Sequence, residues 1–382
     1  MKIKVALVHD YLKEYGGAER VLEALHEIFP KAPLYTAYVN LGNLGEIGQR
    51  FKDWKIIPSW FQKFPLANKL LSPFRLFACL MFESFDLSEY DVVISSCSTY
   101  FAKAVITKPE ALHISYIHTP PRYLYGYTTS FNYKKHLITQ VLGELVNHFL
   151  RLYDFETSQR PDILVANSKN IQDRIKKFYR RDSVVIYPPV EISSKYKVVS
   201  SKGKKDYFLV LSRLVRGKGV EVVVEACGKL GLPLKVAGLG PELEKLKKIA
   251  TNYQLLTTNF LGWVSDEERV KLLENAKALI VASEDEDFGI TSIEAQAAGT
   301  PVIAPASGGF LETVTGGKTG LLYGGPGIRD AESLIGALQK FDSLEFDPED
   351  CRKNAERFSK ERFKKEILEL VEKNLGFVDR LL

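Results

Sequence analysis

Residues 278–304 read ALIVASEDEDFGITSIEAQAAGTPVIA. The apolar run 278–282 predicts a short buried strand. An acidic loop follows at 284–287, then Phe288-Gly289, then a helix over about 290–298 that Gly299 and Pro301 stop. Residues 302–304 predict a second strand. A strand, a glycine that lets a ligand approach the backbone and a helix N-terminus aimed at the same point make an anion site. Sites of this kind lie at the carboxyl ends of strands in doubly wound α/β sheets. Two glutamates flank the bend, Glu286 in the loop and Glu294 on the helix. Thr291-Ser292-Ile293-Glu294 also fits a capping box, in which Glu294 does no more than close the helix start. The acidic loop also fits a plain solvated turn.

The chain has 382 residues, more than one core usually serves, so two domains are expected. Hydrophobic and charged contents of 45% and 26% suit a soluble globular chain. No apolar run approaches the ~18 residues of a spanning helix. The opening MKIKVALVHDYL is too polar for a signal peptide and reads as a first strand. A net charge of +5 does not argue for nucleic acid but suits an anionic ligand or surface. Cys79, Cys97, Cys227 and Cys351 stand far apart without a C-x-x-C pair. That spacing favours free thiols and a cytoplasmic setting over disulfides or zinc.

The rest of the chain alternates strand and helix. A strand over 3–8 runs through Gly16-Gly17 into a helix reaching Phe29; two glycines at such a turn suit a phosphate, or only a tight turn. Residues 54–82 hold no acid, and spread Lys55, Lys63, Lys69 and Arg75 among six Phe and Trp side chains besides Phe82. This pattern fits either an anionic membrane face or an inward-packed aromatic cluster. Strands are expected at 91–95 and 112–117, the latter ending in His118-Thr119-Pro120-Pro121. A helix over 134–158 follows, then a strand over 162–166, a helix capped from Asn167-Ser168, and a strand over 184–187. Pro188-Pro189 makes a stiff exit, taken as the domain crossing.

A second series begins with a strand over 207–211 and the loop Ser212-Arg213-Leu214-Val215-Arg216-Gly217-Lys218-Gly219. A forked cation and a point cation at a helix start suit a pyrophosphate, although two solvated charges would look the same. A strand over 234–237 leads to Pro241, expected at a first helical position. Residues 260–264, with Trp263, precede a helix capped by Ser265 and Glu268. A strand at 320–323 and helices over 331–341 and from 348 to the end, the last over about 360–375, complete the chain. Gly317-Lys318-Thr319 is no P-loop, because Glu312 stands where that motif needs glycine. Asp285-Glu286-Asp287 spells D-x-D, but no further ligand cluster accompanies it, so no metal is expected.

Three stretches now combine. The arrangement E-x7-E, with Phe-Gly after Glu286 and AAGTPVIA after Glu294, resembles the donor signature of the retaining family-4 glycosyltransferases of GT-B fold. S-R-L-x-x-x-K-G at 212–219 resembles that family's diphosphate motif, and YIHTPPRYLY at 116–125 resembles its GDP-mannose-dependent mannosyltransferase branch. The resemblance implies two Rossmann-like doubly wound domains facing across a cleft, residues 1–187 plus 360–382 for the acceptor and 188–359 for the nucleotide sugar. It implies a retaining hexosyltransferase with no cofactor and no metal. GDP-mannose is the favoured donor and a UDP-sugar the second; the acceptor is a glycan or lipid-linked. Implied catalytic residues are His118 on the transferred sugar, Glu286 on its hydroxyls, and Arg213 and Lys218 on the diphosphate. Implied donor-binding residues are Gly16, Gly17, Trp263, Phe288, Gly289, Ile290 and Glu294, the last on the ribose. A cytoplasmic location, peripheral on the inner face of the membrane through 54–82, completes the expectation. A nucleotide-sugar epimerase of the same fold and a catalytically silent sugar-nucleotide subunit are the rivals.

Overall fold

Parallel strands buried on both faces need helices on both sides, and this requirement organises the chain twice over. The computed structural model describes residues 3–71, 73–98, 102–129, 137–192, 206–252, 257–325 and 330–375. The chain divides into two units, 1–127 with 132–189 and 360–382, and 128–131 with 190–359.

The first unit contains β1 (Val5–His9), α1 (Gly17–Ile28), β2 (Leu34–Thr36), β3 (Ile56–Pro58), α2 (Ala67–Leu70), α3 (Ala78–Glu83) and β4 (Val92–Cys97). β5 (Leu112–Ile117), α4 (Leu137–Thr157), β6 (Ile163–Ala166), α5 (Lys169–Tyr179) and β7 (Val184–Val185) follow. The sheet order is β3-β2-β1-β4-β5-β6-β7, all parallel, and it reverses direction between β1 and β4. Side chains alternate across the sheet. Ala6 and Val8 join one core with Phe61, Phe82 and Val93, while Leu7 joins the other with Val21, Leu25 and Ile94.

The second unit contains β8 (Tyr207–Leu211), α6 (Val220–Lys229), β9 (Leu234–Ala237), α7 (Leu243–Asn252), β10 (Thr258–Gly262), α8 (Asp266–Asn275), β11 (Ala276–Ile280) and α9 (Ile290–Ala297). β12 (Val302–Pro305), α10 (Phe310–Thr313), β13 (Gly320–Tyr323), α11 (Ala331–Phe341) and α12 (Pro348–Glu356) complete it. Its order, β10-β9-β8-β11-β12-β13, is the doubly wound 3-2-1-4-5-6 arrangement. The last helix, α13 (Lys360–Leu375), belongs to the first unit; Phe363, Ile367 and Val371 are buried in the core that α1 faces.

Several local expectations shift. Pro241 does not open α7, which starts at Leu243, because Glu242 N–H turns back to the Leu214 carbonyl (3.1 Å). The helices expected from 348 onward appear as α12 and α13, the last at Lys360–Leu375 as expected, and the break between them at 357–359 lets the Phe358 carbonyl accept from Val190 N–H at 2.9 Å. The strand 184–187 shortens to Val184–Val185, and β4 lies further on than 91–95. The start of α4 before Leu137 falls outside the described residues. The 54–82 stretch splits between its two readings. Phe61 and Phe82 are buried and Trp54 stacks on His26 (centroids 3.7 Å), whereas Trp60, Phe64 and Phe77 are exposed. Lys63 and Lys69 are exposed too, but Arg75 is half-buried over the Tyr123 ring at 4.7 Å, so it is not a free surface charge.

Two buried imidazoles tie this packing to pH. His113 bonds Ser95 Oγ (3.0 Å), and burial, then the charges of Arg160 and Arg181, push its pKa down to about 3. Burial and then His9 push His118 down to about 3 as well. Both are neutral in the fold and bind a proton in the unfolded chain below about pH 6.5. The unfolded state therefore holds more protons between the two values, and stability falls as pH drops through that window. Unfolding free energy measured in urea should decline from pH 6.5 to 5 by up to about 1.4 kcal/mol per pH unit for each histidine. His113→Gln should flatten the slope by about one proton. Stability that is constant over that range would contradict the two neutral buried rings.

Candidate functional site

Where a sheet reverses its winding, the connections leave to opposite sides and a crevice opens beyond the strand ends. In the second unit this point lies between β8 and β11. A cavity of about 410 Å³, counted out to open solvent, sits there. Its floor is Val210 and Leu211 on β8 and Ile280 to Ser283 leaving β11; its rim carries Ser212, Lys218, Glu286, Gly289, Thr291 and Ser292.

Close backbone contacts shape the rim. Gly219 has φ +64°, and a Cβ there would stand 2.1 Å from the Ala282 carbonyl oxygen. Only glycine lets the turn after β8 lie against the exit of β11. Glu284 N–H then donates to the Gly217 carbonyl at 2.7 Å, tying the two loops. On the other side Gly309 N–H donates to the Glu286 carbonyl at 2.9 Å, and Phe288 is buried edge-on against Phe358. Gly289, at φ +95°, turns the chain into α9, so the first N–H groups of that helix border the cavity. Lys218 Nζ meets Glu286 Oε2 at 2.8 Å, with both side chains partly exposed. One rim therefore combines a cation, a carboxylate and a helix N-terminus. It can hold an anion and a neutral polyol side by side.

The cavity brings together Lys218, Glu286 and Gly289 of the expected residues. Arg213 lies exposed just past β8, and Trp263 is 62% exposed after β10. Phe288 and Ile290 flank Gly289 without lining the cavity, and their side chains serve packing and helix start. Glu294 closes no capping box, since Gly289, not Thr291, is the residue before the helix. Its carboxylate is buried and pairs with Arg269 Nη1 on α8 at 3.2 Å. In the first unit, Gly16 precedes α1 and its N–H donates to Glu19 Oε2 at 2.7 Å, so that amide already has a partner. Gly17 is the first residue of α1. His118, just past β5, bonds Ser96 Oγ through Nε2 at 2.9 Å.

The sequence reading missed Thr291 and Ser292 as rim residues because it gave them to a cap. Ser292 Oγ is fully buried without a hydrogen-bond partner among the described residues, at the wall of the cavity. It missed Arg269 because nothing local links α8 to α9.

Residues 192–358 match the family model of "Glycosyl transferases group 1". A D-inositol 3-phosphate glycosyltransferase of Corynebacterium jeikeium is 35% identical over 147 residues, 35% of this chain and 35% of that protein. A GDP-mannose-dependent alpha-(1-6)-phosphatidylinositol monomannoside mannosyltransferase of Mycobacterium tuberculosis is 34% identical over 163 residues, 39% of this chain and 41% of that one. The match thus spans less than half of these curated relatives. A solved Anabaena protein in complex with UDP superimposes with a TM-score of 0.71 at 18% identity, covering 97% of this chain and 100% of that one.

The Glu294–Arg269 pair gives a direct test of the packing behind the rim. Arg269→Met takes the cation away from a buried carboxylate and should cost about 1–3 kcal/mol in urea unfolding, while Glu294→Gln added to it should restore part of the loss. Additive losses would contradict the pair. Over 192–358 the chain is similar to the glycosyl transferases group 1 family, within a chain that has the two-unit α/β fold of the solved neighbour.

Proposed function

We propose that the chain is a retaining hexosyltransferase that moves mannose from GDP-mannose to a glycan or lipid-linked acceptor. A UDP-sugar is the second donor reading, favoured by the UDP-bound Anabaena neighbour. The observation that carries the proposal is the Lys218–Glu286 pair on the rim at the β8/β11 reversal. In this reading Lys218, Arg213 and the N–H groups of Ile290 and Gly17 take the diphosphate, whose charge grows as the glycosidic bond breaks. Glu286 holds the sugar hydroxyls and steadies the cationic ring, and His118 meets the same sugar from the acceptor domain. Glu294, steered by Arg269, takes the ribose, and Trp263 stands by the base. The leaving phosphate receives the acceptor's proton, so no residue is needed as a covalent nucleophile.

The acceptor side of the proposal is a peripheral contact with the inner face of an anionic membrane. It is supported by the exposed Trp60, Phe64 and Phe77, by Lys63 and Lys69 beside them, and by an exposed stripe of Leu145, Phe149 and Leu152 on α4. No helix among the described residues is long and apolar enough to cross a membrane.

Thermal-shift titration with nucleotide sugars tests the donor, since a ligand of the native state raises apparent stability by mass action. Stabilisation by GDP-mannose above UDP-sugars is expected; no shift with any nucleotide sugar would overturn the reading. Turnover of donor in the absence of acceptor would favour an epimerase. Lys218→Ala and Arg213→Ala should each lower transfer about 10²-fold. Glu286→Gln releases Lys218 from its partner, so nucleoside diphosphate affinity should hold or rise while transfer drops; a tenfold loss of that affinity would contradict the division of labour. Sedimentation with anionic vesicles should weaken with salt and with Lys63→Gln/Lys69→Gln, because exposed charges are screened. Binding indifferent to both would remove the membrane contact.

A further inference from the structure

The first unit has its own winding reversal, between β1 and β4. Four polar side chains of the described residues form a buried line there. Glu19 Oε1 on α1 lies 3.4 Å from His9 Nε2 at the end of β1. His9 Nδ1 lies 3.2 Å from both the carbonyl oxygen and Oγ of Ser96 on β4. Ser96 Oγ lies 2.9 Å from His118 Nε2, just past β5. Glu19, His9, Ser96 and His118 are all at most 8% exposed.

Proton accounting gives the line a direction. The second Glu19 oxygen accepts from Gly16 N–H, which fixes the carboxylate with its other oxygen toward His9. The Ser96 carbonyl can only accept, so His9 Nδ1 carries a proton toward it. Ser96 Oγ receives the His9 Nδ1–H, and its own proton has one remaining partner, His118 Nε2. If His118 donated there instead, a buried hydroxyl proton would be stranded, which fully buried groups avoid. His118 Nε2 is therefore a lone pair, and the ring's proton stands on Nδ1. Burial and the neighbouring His9 disfavour a second proton on His118.

We infer that His9 and Ser96 are positioning residues that hold His118 as the neutral Nδ1–H tautomer, presenting an N–H donor to an oxygen of the bound ligand. The ligand class is one with lone-pair oxygens, a sugar hydroxyl above all, which rests on the reading of His118 as the sugar contact. Among the described residues His118 Nδ1 has no hydrogen-bond partner, which leaves that donor for the ligand. The device turns on direction: the Ser96 carbonyl fixes the proton on His9 Nδ1, and that proton decides which face of the His118 ring donates.

Long-range ¹H–¹⁵N spectra of the full chain labelled in its histidines, at pH 7.5, read each ring directly. The expected pattern is a neutral Nδ1–H ring for His118 and a proton on Nδ1 of His9, assigned with His118→Asn and His9→Asn. Ser96→Ala should release His118 into an Nε2–H form or a mixture. In Glu19→Gln the amide oxygen takes Gly16 N–H and the amide NH₂ faces His9 Nε2, while the Ser96 carbonyl still fixes His9 Nδ1, so His118 should keep its own tautomer. An Nε2–H or doubly protonated His118 in the unaltered chain overturns the inference, whatever the variants do. Adding GDP-mannose then separates the two claims. A correct tautomer whose Nδ1–H signal ignores the donor leaves the line of protons standing and removes the sugar contact.

Discussion

Everything in the second unit depends on one topological constraint, the reversal of strand order between β8 and β11. Helices leave these neighbours to opposite sides, so no crossover covers their carboxyl ends, and the cavity opens there. The loops on its rim stay in place by backbone contacts that tolerate no side chain, at Gly219 against Ala282 and at Gly308, where a Cβ would lie 2.6 Å from the Glu286 carbonyl oxygen. Rigid backbone then sets a lysine against a glutamate. Such a pair, partly exposed, contributes little to stability. In the proposed function its worth is that both side chains are already placed for a ligand carrying an anionic and a neutral oxygen-rich part.

The first unit uses the same reversal differently. Between β1 and β4 it gathers a buried line, Glu19 to His118. Asp10 beside it accepts from Ser98 and Ala102 N–H groups, so the strand ends are fixed from both sides. A polar line this deep is costly unless every member is satisfied, and satisfaction is what gives it direction.

Much of the fold was legible because parallel strands in this chain are short unbroken apolar runs. β5, β8, β9, β13 and α11 appear with the bounds their residues predict. The errors sit where non-local bonds move an end, as when Leu214 draws Glu242 out of a helix. In the site, Lys218, Glu286 and Gly289 were legible from type and spacing, and they meet on one rim. Glu294 stood out in the sequence but its partner did not, since Arg269 stands on another helix and no periodicity links them. The residues of the buried line were out of reach for a like reason. Strand register, His9 beside Ser96, brings them together, and register is not written in either strand alone.

The central claim is that the β8/β11 reversal holds a nucleoside diphosphate. Hydrogen exchange of the full chain with and without saturating GDP tests it most directly, because bound backbone N–H groups and the loops carrying them become protected. The account predicts added protection confined chiefly to 212–219 and 284–294, lost in Lys218→Ala. Tight binding with protection elsewhere, and none in those two loops, would contradict it.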